Sequence, residues 1–194
     1  MDDVGVTDLD SLLTAVRRAG RPKYLMFWGH QASSEQAVGK ECLSQWWPAS
    51  FVVDGETYSS AEHFMMAEKA RVFGDEEMRL GILQAPNPGA AKRFGRQVRG
   101  FQDGVRAGAR FDIVVRGNTA KFQQHPTLGE FLLGTKNRVL VEASPVDRVW
   151  GIGLAADAPG ADNPEKWRGL NLLGFALMNV RSRLGDDGGD VRQR

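Results

Sequence analysis

The stretch Phe51-Val52-Val53-Asp54-Gly55-Glu56-Thr57-Tyr58 constrains this chain more than any other, because an Asp-Gly pair between β-prone arms specifies a tight hairpin. The hairpin hands the chain directly to Ser59-Ser60 and then to Ala61-Glu62-His63-Phe64-Met65-Met66-Ala67-Glu68-Lys69-Ala70, an expected amphipathic helix. Whatever else the protein builds, a strand pair must feed a helix at this point.

That helix carries a carboxylate, an imidazole and an ammonium on its first turns. Glu62 and Lys69 are seven residues apart, close to two turns, so both project from one face with Met66 between them. Two readings are open. Ser59-Ser60-Ala61-Glu62 fits a capping box, in which the hydroxyl caps the helix and a glutamate at its third position reaches back to the cap amide. Alternatively, polar groups held beside an apolar stripe form a site.

The remaining elements follow from periodicity and punctuation. Thr7-Asp8-Leu9-Asp10 opens a helix with Leu9, Leu12, Leu13 and Val16 at helical spacing, ending at Gly20. Tyr24-Leu25-Met26-Phe27-Trp28 reads as a strand, and Gly29 through Glu41 as a surface loop. Helices are expected from Asp75 to about Gln84, from Asn87-Pro88 to near Gly95, and from Asp103 to about Gln123. The β-branched Ile113-Val114-Val115 and Gly117 weaken the last of these locally. Thr127-Leu128-Gly129-Glu130 caps another helix, Arg138 to Glu142 forms a short strand, and Asn171 to Leu184 is the last helix. The expected fold class is mainly α with a few short β-strands, one compact domain over 1–184 with its core at about 24–184, and a charged, glycine-rich, disordered tail at 185–194.

Composition narrows the function. A net charge of +1 over 194 residues gives no sign of a phosphate-tracking protein. The local enrichment in Lys92-Arg93, Arg96, Arg99, Arg106 and Arg110 reads first as a solvated helical face, with phosphate binding as the alternative. A single cysteine, Cys42, rules out a disulfide framework and a four-cysteine zinc set, and reads as a packed thiol. No apolar run reaches the length of a membrane span and Met1-Asp2-Asp3-Val4 is unlike a signal peptide, so the expected location is a reducing cytoplasm, with no membrane partner. Nucleophile-elbow, zinc-helix and P-loop motifs are absent, and Gly151-Ile152-Gly153-Leu154 does not complete a dinucleotide fingerprint.

What remains is a set of acids, amides and aromatics: Phe27-Trp28 at a strand end, Trp46-Trp47 in a loop, Trp150 before Gly151, Asn118 and Lys121 three apart on one helix face, Asp147, and Asn171 at the last helix start. Singly each aromatic is a core residue. Together with acids and amides they suit a flat heterocycle. The bland reading of Asp147 is a turn cap.

Ala61-Glu62-His63-Phe64 with Lys69, Asn118-Thr119-Ala120-Lys121-Phe122, Leu140-Val141-Glu142, Asp147 with Trp150-Gly151, and Arg168-Gly169-Leu170-Asn171-Leu172-Leu173-Gly174 together resemble the YbiA-like or NADAR family, in order and approximate spacing from about Tyr24 to Leu184. The resemblance implies a compact, mainly helical fold and N-glycosidase activity without metal or other cofactor. It also implies a small phosphorylated ribosyl substrate, riboflavin-pathway ribosylamino-pyrimidines first. Removal of ADP-ribose from guanine, with ADP-ribosylated DNA as partner, is the alternative. A non-catalytic module that senses NAD or ADP-ribose is a reading of another class.

Carried over residue by residue, the resemblance puts catalysis on Glu62, Asp147 and Lys69. Substrate contacts at matched positions fall to His63, Asn118, Lys121, Trp150, Gly151, Arg168 and Asn171, and the aromatic residues Phe27, Trp28 and Trp47 are added from the residue reading as candidate contacts to the base. Glu62 would stabilise a ribosyl cation; Lys69 would bind phosphate or ribose, pair with Glu62, or attack C1′ as an amine. Two places depart from the family pattern and would shape substrate choice: Arg106, where some relatives carry tryptophan, and a longer loop between Trp150 and Arg168.

Overall fold

The computed structural model describes residues 5–30, 38–100 and 103–191, with the side chains of 103–108 and 187–191 outside the description. Arg106 is among the latter, so its place in the basic run lies outside the described residues. By its contacts the chain divides into two compact units, Met1–Ser44 with Thr127–Arg194, and Gln45–Pro126. Seven α-helices, two short 3-10 helices (Lys40–Leu43 and Pro164–Lys166) and four short strands account for the regular structure among the described residues, as expected of a mainly α chain.

In the first unit, α1 (Leu9–Ala19) starts at Asp8, whose side chain accepts the Ser11 amide at 2.8 Å while the Asp8 amide donates to Ser11 Oγ at 3.0 Å. This reciprocal box satisfies two N-terminal donors that the helix cannot satisfy itself. Strand β1 (Tyr24–Phe27) pairs in parallel with β4 (Val139–Glu142), Tyr24 opposite Val139 and Phe27 opposite Glu142. Leu140, Val141 and Phe27 are almost fully buried there. The last helix, α7 (Leu172–Val191), crosses β4 so closely that a Cβ on Gly174 would overlap the Leu140 carbonyl. Buried Arg181 then ties α7 to the turn after α6 (Pro126–Gly134) by donating to Thr135 Oγ at 2.8 Å and to the Arg138 carbonyl at 2.9 Å.

The second unit begins with the hairpin. Strands β2 (Phe51–Val53) and β3 (Glu56–Tyr58) are joined by Asp54 (φ 52°) and Gly55 (φ 81°), the two positive dihedrals a primed turn requires. Helix α2 (Ala61–Val72) follows and packs against α3 (Glu76–Leu83), α4 (Pro88–Arg96) and α5 (Asp103–Gln124). Phe51, Tyr58 and Phe64 stack their rings at 5.0–6.0 Å centroid separations, each about 1% exposed. Burial of one such side chain contributes ~1.5–3 kcal/mol, so this cluster anchors the hairpin on the helices.

Three boundaries differ from the sequence expectation. The β-branched run does not interrupt α5, because Val114 and Val115 are buried by packing and Gly117 lets the Phe64 ring approach the helix backbone. Helix α6 begins at Pro126, which supplies a fixed φ for a first helical position, rather than at a cap near Thr127. Helix α7 continues through Gly185 to Val191 instead of stopping at Leu184, so helical backbone replaces most of the expected disordered tail; residues 192–194 lie outside the described residues.

Candidate active site

Ser60, not Ser59, caps α2. Its backbone is extended (φ −160°, ψ 167°) and its Oγ accepts from the His63 amide. The same hydroxyl lies 2.8 Å from His63 Nδ1, while His63 Nε2 lies 3.1 Å from the Ala85 carbonyl. A carbonyl only accepts, so Nε2 carries the proton and Nδ1 accepts from Ser60. Burial holds the His63 pKa below 6.5, which keeps the ring in this neutral form. The register of the cap is therefore one residue later than the Ser59–Glu62 box, and the third helical position belongs to His63. Glu62 sits at the second helical position.

Glu62 is 2% exposed at the N-terminal end of α2, where the helix field favours an anionic side chain. Its amide donates to the Gln45 carbonyl at 2.9 Å. The Gln45 side chain reaches α5, donating from Nε2 to Asn118 Oδ1 at 3.1 Å, and Asn118 Nδ2 donates to the Val114 carbonyl at 2.8 Å. Gln45, Glu62, Asn118 and Lys121 are all buried in this unit, an unusual concentration of polar side chains in a protein interior. Asn118 and Lys121 share a face of α5, as their spacing predicts. Sequence reasoning missed Gln45, which lies just before Trp46-Trp47 and belongs to no motif.

Two expected site residues have structural duties here. His63 spends both ring nitrogens on Ser60 and Ala85 and so shapes the start of α2. Lys69 is half-buried and donates to the Gly95 carbonyl at 2.5 Å, placing a cation on the last turn of α4, a contact that none of its three anticipated roles contained. Trp47 is half-buried. Lys92, from the basic run, lies 5.9 Å from the Trp46 ring centroid, and Arg99 pairs with Asp75 and Glu77.

The other candidates lie in the first unit. Phe27 is 1% exposed in the core, which removes it as a stacking surface, whereas Trp28 beside it is 57% exposed. Asp147 does cap a turn: its Oδ1 accepts from the Val149 and Trp150 amides at 2.8 Å each. Trp150 is half-buried beyond that turn, and Gly151 is buried where a Cβ would come within 2.8 Å of the Glu142 carbonyl. Asn171 adopts φ 53° and serves the β4 edge, accepting from the Glu142 amide and donating to the Leu140 carbonyl, both at 2.9 Å. It is a buried surrogate strand partner. Arg168 is exposed; it and Arg148 flank Gly153 (φ 69°), whose Cβ would meet Arg168 Cβ at 2.9 Å and Arg148 Cγ at 3.2 Å. Among the described residues no group of three or more His, Cys, Asp or Glu is placed to hold a metal ion, and no helix is long and apolar enough to cross a membrane.

A mainly helical fold with a carboxylate buried at a helix start is the class of architecture these residues define. Residues 26–185 match the family model described as NADAR domain, and the chain belongs to that family. It is 43% identical over 164 residues to N-glycosidase R617 of Acanthamoeba polyphaga mimivirus, covering 82% of this chain and 95% of that one. Against N-glycosidase YbiA of Escherichia coli K12 it is 32% identical over 142 residues, 71% of this chain and 76% of the relative. The NMR structure of E. coli YbiA superimposes with a TM-score of 0.67 at 25% identity, covering 87% of this chain and 88% of that one. A maize protein named riboflavin biosynthesis protein PYRR, chloroplastic, is 35% identical over 136 residues, 66% of this chain and 20% of its own length. The chain is an N-glycosidase by these relationships. The family, the fold class and the type of activity inferred from the sequence motifs stand.

Proposed function

We propose that the protein hydrolyses the N-glycosidic bond of a ribosylamino-pyrimidine phosphate of the riboflavin pathway, releasing ribose 5-phosphate and the free aminopyrimidine. The observation that carries this reading is Glu62, a buried carboxylate at the N-terminus of α2 whose helix is capped by other residues. The maize relative's name supports the riboflavin assignment.

As the C1′–N bond breaks, positive charge develops on C1′ and O4′ of the ribose. A fixed carboxylate beside that charge lowers the barrier without reorganising, because the helix start already holds it in place. The departing nitrogen takes up a proton from solvent water as the pyrimidine leaves; a second water adds to C1′ and gives its proton to Glu62, which returns it to solvent, so that one water is consumed overall. Oxygen Oδ1 of Asp147 is occupied by its turn, so Asp147 is assigned ribose hydroxyl contact through Oδ2 and charge stabilisation stays with Glu62. Lys69 is assigned a positioning role, holding α2 on α4 through Gly95. Base stacking is assigned to Trp150, and phosphate contact to Arg168 and Lys121.

The test is Glu62→Gln, which keeps volume and hydrogen bonding and removes the charge. Wild type and variant are incubated with a ribosylamino-pyrimidine phosphate and with ADP-ribosyl-guanosine, and products are read by mass spectrometry. The expected result is release of ribose 5-phosphate by the wild type and a loss of roughly 10²–10³ in rate for the variant. Wild-type rates in the variant would remove Glu62 from the mechanism. Cleavage of the guanine conjugate alone would replace the riboflavin assignment with reversal of DNA ADP-ribosylation, and intact substrates with tight binding would replace the enzyme with a sensor.

A further inference from the structure

Gln45 is 7% exposed, and among the described residues no donor reaches its Oε1, although that atom is buried. The orientation of the amide is not arbitrary. Asn118 Nδ2 must face the Val114 carbonyl, because a carbonyl cannot donate; Asn118 Oδ1 is then the acceptor presented to Gln45. Gln45 must answer with Nε2, and a flipped amide would set two acceptors against each other. The oxygen left over is therefore Oε1, held in place by a chain of hydrogen bonds that ends on α5. At its other end Gln45 is fixed by its own carbonyl, which accepts the Glu62 amide at 2.9 Å. A buried acceptor left without a donor is costly, and a donor supplied by a bound ligand removes that cost.

We propose that Gln45 is a substrate-binding residue whose Oε1 accepts a hydrogen bond from a hydroxyl or amine of the glycoside held at Glu62. The proposal rests on the N-glycosidase reading above and adds a residue that no motif pointed to. Locked to the Glu62 backbone on one side and to Asn118 on the other, the amide couples the position of the bound substrate to that of the carboxylate. A glycoside lacking the matching donor would leave Oε1 unpaired, so the residue contributes selectivity as well as affinity.

The experiment uses the two products as probes: ribose 5-phosphate for the sugar hydroxyls and 5,6-diaminouracil for the amines. Binding is measured by calorimetry for wild type, Gln45→Met, and the double variant Gln45→Met/Asn118→Leu, in which both hydrogen-bond partners become apolar. Gln45→Met is expected to weaken one probe about 10-fold and leave the other unchanged, which names the donor. The double variant is expected to melt at or above the wild-type temperature and to bind as weakly as Gln45→Met, so lost affinity is not lost folding. Wild-type binding of both probes by both variants overturns the proposal and leaves the glycosidase reading standing. Equal weakening of both probes in the double variant reports a distorted pocket and also overturns it. A wild type that binds neither product and hydrolyses no ribosylamino-pyrimidine overturns the reading this role rests on, and the role with it.

Discussion

At the N-terminus of α2, Ser60 caps the helix and His63 locks the cap to the Ala85 carbonyl, while Glu62 is the residue proposed for chemistry. This division separates stability from activity experimentally. Ser60→Ala is expected to cost ~1 kcal/mol in urea unfolding while the folded fraction keeps its turnover; Glu62→Gln reverses the pattern, with melting nearly unchanged and turnover lost. His63 gives a pH dependence whose sign follows from burial. Its folded pKa lies below 6.5, the value of the free side chain, so the unfolded state takes up a proton first as the pH falls. Stability is complete above 6.5 and declines as the pH drops through that value toward the lowered folded pKa. Urea midpoints compared across that range should fall less steeply for His63→Gln, and an equal fall would show that other groups carry the effect.

Helix crossings in this fold are set by glycines, and the neighbour of each decides what a methyl group there would do. A Cβ on Gly174 of α7 meets the Leu140 carbonyl of β4, which is backbone and cannot step aside. On Gly117 of α5 it meets the Phe64 ring, packed against Phe51 and Tyr58. On Gly95 of α4 it meets the Met66 thioether, the most adaptable of the three neighbours. Alanine substitutions should therefore destabilise in the order Gly174 > Gly117 > Gly95, with the middle case near 1–3 kcal/mol, and thermal melts of the three variants check the order. The same reasoning explains why α5 runs unbroken through Ile113-Val114-Val115: tertiary burial outweighs a propensity penalty of a few tenths of a kcal/mol per residue.

For the molecule as a whole, a product that binds only the folded state must raise its melting temperature. Ribose 5-phosphate at 100 times its dissociation constant should stabilise the protein by about 2.7 kcal/mol, and Arg168→Ala should reduce that gain if Arg168 holds the phosphate. A gain unchanged by Arg168→Ala would assign the phosphate elsewhere. By itself the sequence determined the hairpin at Asp54-Gly55, nearly every helix, the family and the type of reaction, because turn chemistry, apolar spacing and ordered motifs are local or nearly local in the chain. Other features were open to contacts made at long range. The pattern offered a Ser59–Glu62 capping box, whereas the helix is capped by Ser60, whose partner His63 is held by a carbonyl at Ala85, 22 residues away. Asn171 reads as a ligand by motif and is a strand partner because β4 arrives 29 residues earlier in the chain. Gln45 belongs to no motif, and the orientation of its amide comes from Asn118, 73 residues away. Tertiary structure decided these cases because a polar side chain's duty is set by the groups that reach it once water is excluded, and those groups come from distant parts of the chain.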